Sequence, residues 1–235
     1  MSSPLELVSY SARTGKKLWS ASGMGLMPIS VPVFGDGAFF VNNGSVPSFE
    51  ELAITFKADK NGDGKLTPDE FPDPAFRDAV RAIDRVYGNG DGAIDAKEWN
   101  GALQSTATNA LVAVDAGGVE RWRLTKGLSD IPSPIFYRGS LYIVRDGGIV
   151  TRLNPRTGEI AKQARLRGAL DKFFASPVAA DGKLFFTSES CKVAVTNADL
   201  EVLAVNDLGE ECHATPAIAN GGLYVRTSDA LYFFK

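Results

Sequence analysis

The chain has 235 residues, 44% of them apolar and 23% charged, with 25 Lys and Arg against 28 Asp and Glu and a net charge of −3. Those proportions describe an ordinary globular protein without the basic excess that a nucleic-acid surface needs. No apolar run is long enough to span a membrane, and Met1–Tyr10 lacks the apolar core of a signal peptide.

The chain opens with two short apolar runs, Leu5–Ser9 and Lys17–Ser20, which read as strands around a turn at Ser11–Lys16. A Pro-led strand (Ile29–Phe34), a glycine turn at Gly37 and a second strand (Ala38–Asn42) follow. The pattern then changes period. Phe49, Leu52, Ala53 and Phe56 recur at helical spacing, with Ser48 placed as N-cap ahead of Glu50 and Glu51.

Residues 59–70 follow as Asp-Lys-Asn-Gly-Asp-Gly-Lys-Leu-Thr-Pro-Asp-Glu. Asp59, Asn61 and Asp63 offer side-chain oxygens at loop positions 1, 3 and 5, Lys65 a backbone carbonyl at 7, Thr67 an oxygen at 9, and Glu70 two oxygens at 12. Gly64 stands at position 6, where the chain must turn sharply with positive φ. Such spacing wraps about seven hard oxygens around one point, as Ca²⁺ requires.

A second copy spans residues 87–98, with Asn89, Asp91, Ala93 (backbone carbonyl), Asp95 and Glu98 at positions 3, 5, 7, 9 and 12. Tyr87 occupies position 1, so one carboxylate is missing there. Asp84 lies one helical turn earlier and compensates only in a reshaped loop. Two readings stand: a weak second calcium site, or a structural partner that stays empty. Leu66 and Ile94 share position 8 and should pair the loops as a short ribbon. Phe76, Val80 and Ile83 predict a helix between the loops, and Ala96–Leu103 one after them, with Pro72 and Pro74 shortening the exit from the first loop. Residues 46–108 therefore resemble an EF-hand pair, inserted between segments 1–45 and 109–235.

The flanking segments repeat. Pro32, Pro134, Pro177 and Pro216 are each followed five residues later by Gly37, Gly139, Gly182 and Gly221, and eight residues later by Phe40, Tyr142, Phe185 and Tyr224. A period near 40 residues with short apolar runs and glycine turns implies four-stranded blades. The units resemble the quinoprotein-like (PQQ-type) β-propeller repeat. Ser11 (in the usual Asp place), Thr14, Gly15, Lys16 and Trp19 match its turn and tryptophan, as do Asp115, Gly118 and Trp122 with a turn one residue shorter. Asn154, Thr157 and Gly158 match a third turn, but Lys162 replaces its tryptophan; in the last copy, Asn197 and Asp199 lead to Leu203. In that family the tryptophans dock neighbouring blades, so their loss implies looser contacts.

The expected fold is mainly β: about four blades of a seven- or eight-bladed propeller carrying an α-helical EF-hand pair. The insert falls between the second and third strands of the first full blade. Cys191 and Cys212 fall on one face, which fits either a disulfide between adjacent blades or two separate thiols. His213, the only histidine, stands beside Cys212, and neighbouring residues of an extended segment point apart, so a Cys–His nucleophile is not expected.

The resemblance implies a bacterial, periplasmic or extracellular protein, with Ca²⁺ as its metal. PQQ is not expected, because no two cysteines are adjacent as in the dehydrogenases of that family. The function expected is a non-catalytic scaffold or recognition domain. The alternative is part of a PQQ-dependent alcohol or sugar dehydrogenase. Its partners would be another protein, remaining blades of a longer chain, or a second copy in a homodimer.

Overall fold

A two-residue turn sets the register of four sheets. In the computed structural model, which describes residues 1–3, 6–25, 29–43, 48–105 and 110–235, Asp36-Gly37, Arg138-Gly139, Asp181-Gly182 and Asn220-Gly221 all have positive φ at both positions. This is the mirror-image turn whose twist matches that of flanking strands. It pairs the residue after each repeat proline with the aromatic seven places on: Val33 with Phe40, Ile135 with Tyr142, Val178 with Phe185, Ala217 with Tyr224.

Contacts divide the chain into two compact units, one of Met1–Pro28 with Asn43–Asn109 and one of Ile29–Asn42 with Ala110–Lys235. The second unit holds three four-stranded antiparallel sheets in simple meander order. The first comprises β4 (Val33–Gly35), β5 (Ala38–Asn43), β6 (Ala110–Asp115) and β7 (Glu120–Leu124). The second comprises β8 (Ile135–Tyr137), β9 (Ser140–Arg145), β10 (Ile149–Leu153) and β11 (Ile160–Arg165). The third comprises β12 (Val178–Ala180), β13 (Lys183–Thr187), β14 (Lys192–Asn197) and β15 (Val202–Asp207). A three-stranded sheet of β16 (Ala217–Ala219), β17 (Gly222–Arg226) and β18 (Leu231–Phe234) follows.

Successive sheets meet through their first strands, β4 with β8, β8 with β12 and β12 with β16. That is the packing order of propeller blades. A hydrogen-bond chain runs along these contacts: Val31 N–H donates to Ser133 Oγ (2.9 Å), Ser133 N–H to Ser176 Oγ (3.0 Å), and Ser176 N–H to Thr215 Oγ1 (3.0 Å). Each of these residues precedes a repeat proline.

Apolar layers fill the gaps between sheets. Phe40, Leu111, Leu141 and Leu153 pack in one, and Tyr142, Val150, Phe173, Leu184 and Phe186 in the next. Trp122 lies against Gly158 of the following sheet, where any Cβ would come within 2.7 Å of the indole, and its Nε1–H donates to the Pro155 carbonyl at 2.8 Å. Where the next tryptophan is lost, polar contacts stand in its place. Lys162 Nζ reaches the equivalent turn and donates to the Asp199 carbonyl (2.6 Å), joined there by Arg152 on the Asp199 carboxylate (2.6 Å) and by the Tyr142 hydroxyl on the Ala198 carbonyl (2.9 Å).

Cys191 and Cys212 form a disulfide whose sulfurs sit in the apolar layer between the third sheet and the last. Cys191 lies in the turn between second and third strands of its sheet. The equivalent point of the first sheet is where the helical insert leaves, since β5 and β6 are neighbours.

The first unit begins with β1 (Ser2–Ser3), β2 (Glu6–Tyr10) and β3 (Lys17–Ser22). Two strands were expected here; the extra one is β1, which pairs Ser2 with Leu7 and Ser3 with Glu6. The strand start expected at Leu5, and the insert bounds at 45–46 and 108–109, lie outside the described residues.

The insert has its own core of Leu52, Leu66, Phe71, Val80, Ile83, Ile94 and Trp99. Ser48 and Glu51 cap its first helical turn reciprocally, with Ser48 N–H on Glu51 Oε2 (2.7 Å) and Glu51 N–H on Ser48 Oγ (3.1 Å). Helix α1 (Pro74–Tyr87) and helix α2 (Ala96–Ser105) flank the second loop.

Candidate metal centre

The loop of residues 59–70 is organised by its own acidic side chains. Asp59 accepts the Gly62 N–H on Oδ1 (2.7 Å) and the Gly64 N–H on Oδ2 (3.0 Å). Asn61 Oδ1 accepts the Asp63 N–H (2.9 Å), and Asp63 Oδ1 the Lys65 N–H (2.8 Å). Glu70 reaches back across the loop: Oε1 takes the Lys60 N–H (3.0 Å), and Oε2 takes the Thr67 N–H (2.7 Å) and hydroxyl (3.0 Å). Gly62 and Gly64, both with positive φ, point these N–H groups inward.

Every expected donor of the first site is therefore held in one loop. Among the described residues no three His, Cys, Asp or Glu side chains converge as a preformed metal cluster. The Asp59 oxygens and Glu70 Oε1, each with one N–H bond, nevertheless keep a lone pair to spare, whereas Glu70 Oε2 would exchange a Thr67 bond for the ion. An all-oxygen donor set of this kind suits a hard divalent cation, so the residues fit calcium.

The second loop repeats the scheme. Asn89 Oδ1 accepts the Asp91 N–H (2.9 Å), Asp91 Oδ1 the Ala93 N–H (3.0 Å), and Glu98 the N–H groups of Asn89 (3.0 Å) and Asp95 (3.1 Å). The expected ribbon is present: Leu66 N–H donates to the Ile94 carbonyl (2.8 Å) and Ile94 N–H to that of Leu66 (2.9 Å). Lys65 Nζ crosses from the first loop to Asp91 Oδ2 at 2.7 Å. That bond, with the Ala93 N–H, holds the Asp91 carboxyl below the usual carboxylate range and raises Lys65 in return.

At the disulfide, His213 lies 3.8 Å from Glu189 and its ring packs near Phe174. The Cys212 sulfur is bonded to Cys191.

An EF-hand family model matches residues 57–71 and 88–103. No curated protein sequence matches the chain. Among solved structures, the computationally designed Ika8 protein is similar over 100% of this chain and 57% of its own, with a TM-score of 0.57 and 10% identity. BamB from Moraxella catarrhalis is similar over 53% of this chain at a TM-score of 0.45 and 19% identity. The WD40 beta propeller domain of Doa1 is similar over 53% at 0.44 and 14%. The chain spans 39% of the BamB chain and 43% of the Doa1 chain. Together the sheets and the family match define a mainly β protein of propeller type that carries an EF-hand pair.

Proposed function

We propose that this chain is a calcium-binding recognition or scaffold protein of quinoprotein-like propeller type, in which residues 46–108 form a metal-dependent module set between two strands of one sheet. The observation that carries the reading is the first loop, where the side-chain oxygens of Asp59, Asn61, Asp63 and Glu70 are held by the loop's own N–H groups. Those side chains, with the Lys65 carbonyl, would hold the ion. Calcium supplies charge that cross-links the helices at either end of the loop, and no redox or proton chemistry.

Three further observations support a non-catalytic role outside a reducing compartment. The disulfide suits an extracellular or periplasmic setting. The Cys–His neighbours carry no free thiol. Among the described residues, β18 of the last sheet has a strand on one side only and exposes Leu231, Phe233 and Phe234, an edge that suits a strand from a partner protein, further blades or a second copy.

Calorimetric titration of chelator-treated chain with calcium tests the reading. Binding that Glu70→Gln removes from the first loop is the expected result. A chain that takes up no calcium would refute it.

A further inference from the structure

If both loops are calcium sites, the second has a phenol where its first carboxylate belongs. Tyr87 is the last residue of α1 and packs against the apolar core of the pair. Three residues earlier in the same helix, Asp84 is only 8% exposed, an unusual place for a carboxylate. It accepts the Gly90 N–H on Oδ1 (2.8 Å) and the Gly92 N–H on Oδ2 (2.9 Å). Asp59 accepts Gly62 and Gly64 in the same way, and these glycines hold positions 4 and 6 of their loops.

Gly88 makes the substitution sterically feasible. Its N–H closes α1 on the carbonyls of Ile83 and Asp84, both at 3.0 Å. A Cβ at Gly88 would lie 2.7 Å from the Asp84 Cα and carbonyl oxygen and 2.9 Å from Oδ1. Only glycine lets the chain double back tightly enough to bring its next residues over the Asp84 carboxylate. An open cleft of about 700 Å³ beside this point is lined by Tyr87, Gly88, Asn89, Asp95, Lys97 and Glu98, and Asp84 lies outside its lining.

The geometry points to Asp84 as the first ligand of a second calcium site, which runs from 84 to 98 and is completed by Asn89, Asp91, the Ala93 carbonyl, Asp95 and Glu98. Three extra residues, the end of a helix, are accommodated without loss of the carboxylate. This inference rests on the calcium reading of the loops, and the test separates the two.

Full-length chain carrying Glu70→Gln, which silences the first loop, is titrated with calcium by calorimetry. One remaining site is expected. Adding Asp84→Asn or Gly88→Ala should weaken it by more than about tenfold, since each removes or displaces a ligand charge. Adding Tyr87→Asp should change it by less than about twofold, because that position is not a ligand. A twelve-residue loop gives the opposite pattern: Tyr87→Asp tightens binding and Asp84→Asn is neutral, which would overturn the inference. Melting of the calcium-free variants checks that Asp84→Asn still folds, and if it does not, Tyr87→Asp decides on an intact chain. Glu70→Gln protein that binds nothing overturns the second site alone, whereas unmutated chain that binds nothing overturns both readings.

Discussion

The helical insert and the sheets solve the same problem by opposite means. In the insert, polar order is made locally: apart from the Lys65–Asp91 pair, the carboxylates of each loop meet backbone N–H groups at most ten residues away in sequence. In the sheets, order is made at a distance, through apolar layers and bonds such as Trp122 to Pro155 and Lys162 to Asp199 that tie one repeat to the next. Metal should therefore govern the first region and packing the second.

The largest expected effect falls on the sheets. Trp122→Ala removes an indole seated on Gly158 and should cost about 2–4 kcal/mol, the lower end reflecting partial exposure, while calcium affinity stays the same. Denaturant melts followed by β-type circular dichroism read the first quantity and calorimetry the second. A matching loss of calcium affinity would break the contrast.

Replacing Cys191 and Cys212 by Ser should cost about 2–4 kcal/mol, again without effect on the loops. Chelation acts the other way: at free calcium about 100 times Kd, binding stabilises the insert by about 2.7 kcal/mol, and chelator should remove that from helix melting alone. As the strict form of this idea, a chain with residues 46–108 replaced by Asn-Gly should keep its β-type spectrum. Loss of that spectrum would show the sheets to depend on the insert.

Smaller effects sharpen the comparison. Lys162→Ala should cost under about 1 kcal/mol, because an exposed ammonium on a carbonyl replaces a ring that packed. Lys65→Ala should tighten the second loop by a few-fold, since the ammonium holds an Asp91 oxygen that calcium would also use. Affinity unchanged in that variant would mean the cross-loop pair does not compete.

The same division decided what could be read from the residues alone. The first loop was legible because all its donors lie within twelve consecutive residues, 59–70. The blades were legible because proline, glycine and aromatic recur at fixed offsets that a two-residue hairpin turn demands. Asp84 was visible only as a conditional, because its use depends on the space above Gly88, a property of the folded backbone. The polar contacts of Lys162 were not legible, because a tryptophan's loss says nothing about the reach of its replacement. The pairing of Cys191 with Cys212 needed the third dimension, which brings residues 21 apart to a Cα separation of 4.8 Å.

The bonds between residues that precede the repeat prolines run one way. Val31, Ser133 and Ser176 hand an N–H forward, and Ser133, Ser176 and Thr215 offer a hydroxyl backward, so a unit with Ser or Thr at that place can stand behind another. Val31 can hand forward but has nothing to offer behind it. The repeats are thus not interchangeable beads: those anchored at Pro134 and Pro177 could trade places in a shuffled chain, while the one anchored at Pro32 fits this stitch only at the head of the row.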